Sequence, residues 1–365
     1  MSLTRREFSR LAALTSTAPF VPRMFAQETG HSKNSVGFAV VGIGRISSNQ
    51  FMPGLKAATQ CHLAGLVSGH REKADKVAAM YGVDTDSIYS YENFDSIRDN
   101  KKVDAVYIAL PNGMHAEYTI RAAKAGKHVL CEKPMAISVD DCKAMIKACS
   151  DAGVKLMIAY RCQYEPTNLR AIQLIRDGKL GKIQTIESTY GFNISPGEWR
   201  LNRKLAGGGP LMDVGIYSLN ACRQLTGEEP SDLAAFASVI DHDGRFSEVE
   251  ENLSWSMKFP SGVVASCATT YGARMNGFYA VQGPLGNLEL DTAFNYEGQH
   301  LKATMGKTEL DEPSVLRDPS QFTRQADYFA DCIRKGTVPK SSGEEGLHDM
   351  ELIARIYQSA GRSLG

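Results

Sequence analysis

The chain carries no surplus of charge of either sign: Lys plus Arg and Asp plus Glu each number 41 in its 365 residues. That balance excludes the broad basic field that nucleic acid or an anionic membrane surface would need. The chain also lacks any C-x-x-C pair, its eight cysteines being scattered from Cys61 to Cys332. Such a scatter supports neither a disulfide framework nor a metal site. Cys131 and Cys222 lie in apolar segments and read as buried free thiols. Past the leader, no apolar run approaches the roughly 20 residues that span a bilayer. There is no internal repeat and no low-complexity tract. What is present is an ordinary globular composition, 43% hydrophobic with 33 glycines. The length outgrows a single core, so two domains are expected.

The first residues have a composition of their own. Thr4 to Leu14 reads TRREFSRLAAL, with twin arginines at Arg5 and Arg6, Phe8, and a weakly apolar stretch from Leu11 to Phe20. That order matches a twin-arginine signal, which would make the Tat machinery a partner, the periplasm the destination and a folded chain the cargo. An ordinary basic amphipathic N-terminus is the alternative. Ala26 suits the position before a cut, although Met24 is a poor companion for it. Residues 1–26 are therefore expected to be a signal peptide. Residues 27–35, QETGHSKNS, are expected to be a polar arm.

From Val36 to Val41 the residues are apolar without a break, as in a parallel strand buried on both faces. Gly42 and Gly44 follow at once, with Arg45 and Ile46, and a helical stretch begins near Ser48. Glycines here allow a sharp turn that brings backbone amides to a pyrophosphate at a helix N-terminus. Ser47 stands where the third glycine of that fingerprint would be. Further β/α alternation follows: strands at Leu63–Val67, Asp104–Leu110 and His128–Cys131, and a helix at His115–Lys124 closed by Gly126. Ser138 and Asp141 form a capping box for a helix running towards Gly153. After the second strand comes Ser68-Gly69-His70-Arg71-Glu72-Lys73 rather than the acid that holds an NAD ribose. Ser68 with Lys73 suits a 2′-phosphate, which favours NADP.

Cys131-Glu132-Lys133-Pro134 lies past the carboxyl end of a strand, where open α/β sheets hold ligands. A plain Lys-Pro surface turn is the alternative. Much later comes AGGGPLMDVGIYSLN, Ala206 to Asn220, in which a helix can start around Leu211. Asp213 and Tyr217 are four apart and share one face of it. Taken alone, such a pair is as well read as structural.

These segments together resemble the Gfo/Idh/MocA oxidoreductases over essentially the whole chain after the leader. The resemblance rests on the glycine turn, on Glu132-Lys133-Pro134 and on the GGGxLMDxGxY segment. It is strongest to the glucose–fructose oxidoreductase branch, through Ala105–Glu117, Gly126–Ala136, Leu156–Asn168, Glu198–Gly209 and Glu344–Ile353. It implies an α/β N-terminal Rossmann domain, placed at 36–156, and a C-terminal α+β domain with a large, mostly antiparallel sheet, placed at 157–365. Alternating stretches at Ile183–Tyr190, Leu253–Phe259 and Val263–Thr270 agree with that sheet.

The resemblance further implies that Lys133 and Tyr217 are the catalytic pair, with Asp213 beside them. Ser68, Lys73, Tyr91, Leu110, Asn112, His115, Glu132, Lys133 itself, Arg161, Trp199 and Arg200 match positions near the cofactor, which is expected to be tightly bound NADP(H). A cis bond is expected before Pro134. A free tyrosine is a poor base near neutrality, and a nearby lysine cation would favour its phenolate. Lys133 is thus expected to tune Tyr217. Small-molecule sugars are the implied substrates, an aldose being oxidised at C1 to its lactone and a second sugar being reduced. A homo-oligomer, dimer or tetramer, through the C-terminal sheet is implied as well. The segment between Tyr190 and Glu198 is shorter than in that branch, and no long C-terminal tail follows Gly365. Two alternatives stay open: an exported NAD-dependent glycoside hydrolase of the same superfamily, which would carry His in place of Tyr217, and a non-catalytic nucleotide binder.

Overall fold

The computed structural model describes residues 35–317 and 319–364. The expected signal peptide and all but the last residue of the expected arm lie outside the described residues.

The first half alternates strand and helix: β1 (Val36–Val41), α1 (Met52–Ala57), β2 (Cys61–Val67), α2 (Arg71–Tyr81), β3 (Ile88–Tyr89), β4 (Ala105–Ile108), α3 (His115–Lys124), β5 (His128–Glu132), α4 (Val139–Asp151) and β6 (Leu156–Ala159). All six strands are parallel, in the order β3-β2-β1-β4-β5-β6. Every residue of β1 is buried, as its unbroken apolar run requires of a strand covered on both faces. The Ser138 hydroxyl accepts from Asp141 N at 3.1 Å at the start of α4. β6 closes this sheet, so the first sheet runs past the 156/157 boundary read from the sequence. The strand order reverses at β1, and that places a crevice beyond the carboxyl ends of β1 and β4.

The chain then forms α5 (Pro166–Arg176), β7 (Thr185–Gly191), α6 (Arg203–Ala206), α7 (Ile216–Thr226), β8 (Asp232–Ser238), β9 (Asn252–Lys258), β10 (Val264–Thr270), β11 (Met275–Gly283), β12 (Gly286–Asp291), β13 (His300–Met305) and β14 (Thr308–Pro313). These eight strands make one sheet, β14-β13-β12-β11-β7-β10-β9-β8. β7 and β10 pair in parallel and the other neighbours are antiparallel. One face buries Ile186, Leu253, Trp255, Met257, Ala265 and Cys267. The opposite face is open, with Phe236 82% exposed on β8 and Ser254, Ser256, Val264 and Ser266 exposed on β9 and β10. The period-two alternation of β9 is what separates these faces.

Two C-terminal helices, α8 (Ser320–Lys335) and α9 (Gly343–Ser359), return to the first half. Phe322, Ala326, Phe329 and Ala330 recur at helical spacing on α8 and pack with Phe38 and Phe51 of the Rossmann half. α9 lies beside α4 and β6. It carries Asp349, which is fully buried and accepts from Arg223 Nη1 of α7 at 2.5 Å. Glu345 and Glu229 bind the same guanidinium.

Candidate active site

A cavity of about 750 Å³ opens over the carboxyl ends of the first sheet and is closed from the other side by α7 and the 198–200 turn. The residues anticipated from the sequence all line it. Gly42, Gly44, Arg45 and Ile46 follow β1, Ser68 and Lys73 follow β2, and Tyr91 follows β3. Leu110, Asn112 and His115 come after β4, Glu132 and Lys133 from the end of β5, and Arg161 after β6. Trp199, Arg200, Asp213 and Tyr217 face them from the second half.

The glycine turn has a specific shape. Gly42 has φ +95°, and a Cβ there would stand 2.6 Å from the Ala109 carbonyl oxygen, so a side chain would strain both backbone and space. Ser47, which replaces the third glycine, donates its hydroxyl to the Gly42 carbonyl at 2.6 Å and holds the turn. Lys73 Nζ donates to the Ile43 carbonyl, bringing an ammonium from α2 onto the same turn. Ser68 Oγ accepts from His70 N at 3.1 Å. The Gln50 Oε1 atom is buried at this cavity without a hydrogen-bond partner among the described residues. These features fit a dinucleotide: a tight turn for phosphate, a hydroxyl and cations after β2, and an acceptor awaiting a donor.

His115 is fully buried, with Nδ1 2.9 Å from the Pro134 carbonyl and Nε2 2.9 Å from that of Leu110. It ties the β4 and β5 loops together, and burial lowers its proton affinity. The Lys133–Pro134 peptide is cis. Glu132 accepts from Tyr107 Oη at 2.6 Å. Burial raises its proton affinity, against the pull of Lys133 and Tyr107. Asn112 Nδ2 donates across the cleft to the Ala206 carbonyl at 2.8 Å.

At the far end Lys133 Nζ donates to the Asp213 carbonyl at 2.6 Å and lies 3.5 Å from its carboxylate. Asp213 also accepts from Arg200 Nε at 2.8 Å and from Tyr271 Oη at 2.9 Å. Burial opposes its ionisation, but Arg200 and Lys133 outweigh that and hold it below the usual carboxylate range. Lys133 does not meet the Tyr217 hydroxyl. Its Nζ stands over the ring, 4.7 Å from the centroid, while Arg161 Nε donates to Tyr217 Oη at 3.1 Å. The expected tuning by Lys133 therefore gives way to Arg161, because the Asp213 oxygens hold the ammonium away from the hydroxyl. Burial pushes the Tyr217 phenol well up, and Arg161 pulls it down.

Sequence reasoning missed Tyr271, which comes from the end of β10 and had no motif around it. It missed a role for Glu198, which approaches Arg45 at 3.8 Å across the cavity mouth. It also missed Tyr190 and Tyr296, which line the cavity from the second half. An aromatic in a strand or in the turn after one carries no local mark that separates cavity wall from core.

Known proteins bear on this architecture. Residues 36–160 match the model of an oxidoreductase family with an NAD-binding Rossmann fold, and residues 168–289 match the GFO/IDH/MocA C-terminal domain. The chain is 33% identical over 346 residues to the D-xylose 1-dehydrogenase [NADP(+)] of Haloarcula marismortui, covering 92% of this chain and 93% of that protein. It is 31% identical to D-xylose 1-dehydrogenase (NADP(+)) 2 of Haloferax volcanii, over 88% of this chain and 97% of that one. The crystal structure of aldose–aldose oxidoreductase from Caulobacter crescentus, complexed with glycerol, is similar with a TM-score of 0.87 and 45% identity, covering 90% of this chain and 99% of that chain. Fold, cavity and kinship agree, and the chain belongs to the Gfo/Idh/MocA family of oxidoreductases.

Proposed function

We propose that the protein is an exported, NADP(H)-dependent sugar oxidoreductase that keeps its cofactor and uses two sugars in turn. The observation that carries this reading is the meeting of Lys133, Asp213 and Tyr217 in the same cavity as the Gly42 turn and the Ser68–Lys73 pair. The NADP-dependent xylose dehydrogenases and the aldose–aldose oxidoreductase among its relatives support the substrate class.

Bound NADP(H) would supply the hydride acceptor and donor. It would be held by the Gly42–Ile46 turn, with Ser68 and Lys73 at its 2′-phosphate. Tyr217 takes the proton from the C1 hydroxyl of the aldose as the C–H electron pair departs with its hydrogen and C–O becomes C=O. Lys133, anchored by Asp213, turns its remaining N–H to the sugar oxygen. The same groups return the proton when the acceptor sugar is reduced. A carboxylate held ionised, as Asp213 is, orients this set rather than shuttling protons.

The twin arginines support export, and outside the cytoplasm a cofactor that dissociated could not be reloaded. One pocket then serves donor and acceptor alternately, which gives ping-pong kinetics. The exposed face around Phe236 and Val264 is where we place the contact between copies. The test is to mix purified protein with donor aldose alone and follow nicotinamide fluorescence. One stoichiometric rise, reversed by an acceptor sugar, is expected. Nucleotide that washes off on dilution, with turnover requiring free NADP, would make this an ordinary dehydrogenase.

A further inference from the structure

Arg161 leaves the end of β6 and is 3% exposed. Its guanidinium lies between two aromatic rings, 4.8 Å from the Tyr217 centroid and 4.6 Å from that of Tyr296. Nη1 donates to Gln321 Oε1 at 2.7 Å and to the Asn295 carbonyl at 3.2 Å, and Nη2 donates to the Phe294 carbonyl. These contacts aim Nε at Tyr217 Oη, 3.1 Å away. All of these hydrogen-bond partners are neutral, and the Glu132 carboxylate feels the guanidinium only through space. A buried cation bonded only by neutral groups is further stabilised by a negative charge arriving in contact with it. The bonded group able to bring one is Tyr217, on losing its proton. Lys133 is less free to meet that phenolate, because the Asp213 carbonyl and carboxylate already engage it.

We infer that Arg161 is a positioning residue of the proton transfer. It holds the Tyr217 hydroxyl towards the cavity and supplies the positive charge against which Tyr217 gives up its proton. The inference rests on the sugar-oxidoreductase reading above. The other titratable groups facing Tyr217 are Lys133 at its ring, Tyr190 at 5.7 Å between ring centroids, and Cys162, Tyr296, Glu132 and Tyr107. Apart from Lys133, none is a cation. Removing the Arg161 charge thus leaves the phenolate with less support, and the oxidising direction, which needs that phenolate, suffers first.

The test uses the protein as purified, with D-xylose and D-glucose as donors, and follows each half-reaction by stopped-flow nicotinamide fluorescence. Rates are taken from about pH 6 to about pH 10, where tyrosine and its neighbours titrate. Arg161→Met should move the alkaline-rising limb of donor oxidation up by about one pH unit or more. Near neutrality that is roughly a tenfold loss, recovering as the pH rises. Reoxidation of the donor-reduced protein by an acceptor sugar needs the protonated phenol and should fall less. Arg161→Lys keeps a cation, so its limb should stay in place while its rate drops. In a Tyr217→Phe background, Arg161→Lys should cost nothing further. An unmoved limb with equal losses in both directions in Arg161→Met overturns the inference. Should Arg161→Met fail to fold, the Arg161→Lys/Tyr217→Phe cycle decides: non-additive losses support the inference and additive losses overturn it. Parental turnover in Tyr217→Phe would remove the catalytic reading itself, and this inference with it. Lost turnover there, with an unmoved limb in Arg161→Met, sinks the inference alone.

Discussion

Lys133 of the first half and Asp213 of the second are joined twice, by a 2.6 Å bond from Nζ to the Asp213 carbonyl and by an ion pair at 3.5 Å. This contact crosses the cleft, so it positions the reacting groups only when both halves are in place. It also puts the ammonium over the Tyr217 ring instead of at its hydroxyl.

Lys133→Met and Tyr217→Phe should each lower turnover by about 10²–10⁴-fold, the usual contribution of a general acid–base group. Neither touches the glycine turn, so nucleotide content after purification should match the parent. Rapid-quench turnover beside mass spectrometry of the released nucleotide checks both halves of this statement.

Ser68→Asp places a carboxylate where the 2′-phosphate is proposed to sit. Like charges brought together at a binding site cost several kcal/mol, so NADP affinity should fall on the order of 100-fold. NAD lacks that phosphate and should gain relative to NADP. Calorimetric titration with each nucleotide measures the ratio, and unchanged NADP affinity would place the 2′-phosphate elsewhere.

Arg223 is 4% exposed and binds Asp349, Glu345 and Glu229. Arg223→Met leaves the buried Asp349 and its neighbours without their cation and should cost about 3–5 kcal/mol of stability. Asp349→Asn should cost less, since Glu345 and Glu229 still meet Arg223. Burial pushes Asp349 up to about 6 from 3.8, against the pull of Arg223. With the folded value above the unfolded one, the proton binds more tightly in the folded state. The contribution of this residue is then fully present below about pH 4 and is lost as the pH rises through about 6. Urea unfolding of parent and Asp349→Asn across that window should show the parent losing stability relative to the variant as the pH rises.

Phe236 stands 82% exposed on β8, the edge strand of the open sheet face. If copies meet there, Phe236→Asp should shift the mass seen by sedimentation towards the monomer while turnover per chain changes little. An unaltered mass would move the interface elsewhere.

Much of the fold was legible because its signals are local. The buried run of β1, the turn at Gly42, the Ser138 cap of α4 and the alternation of β9 each follow from sterics and hydrogen bonding within a few residues. Lys133, Asp213 and Tyr217 also sit in short segments, but it was the resemblance of those segments to family motifs, not their spacing alone, that picked them out.

What the sequence by itself determined is therefore the set of parts: a parallel nucleotide-binding half, a sheet-forming half and the residues offered to one cavity. Only the tertiary structure decided how those parts meet. Arg161 and Tyr217 are 56 positions apart, and nothing along the chain shows that this guanidinium, rather than the Lys133 ammonium, reaches the phenol. The return of α8 onto Phe38 and Phe51, and of Asp349 onto Arg223, are contacts of the same kind. Local rules set the shape of each segment. Which charge finds which partner depends on the competition among all acceptors in a water-poor interior, and that competition exists only once the chain has closed on itself.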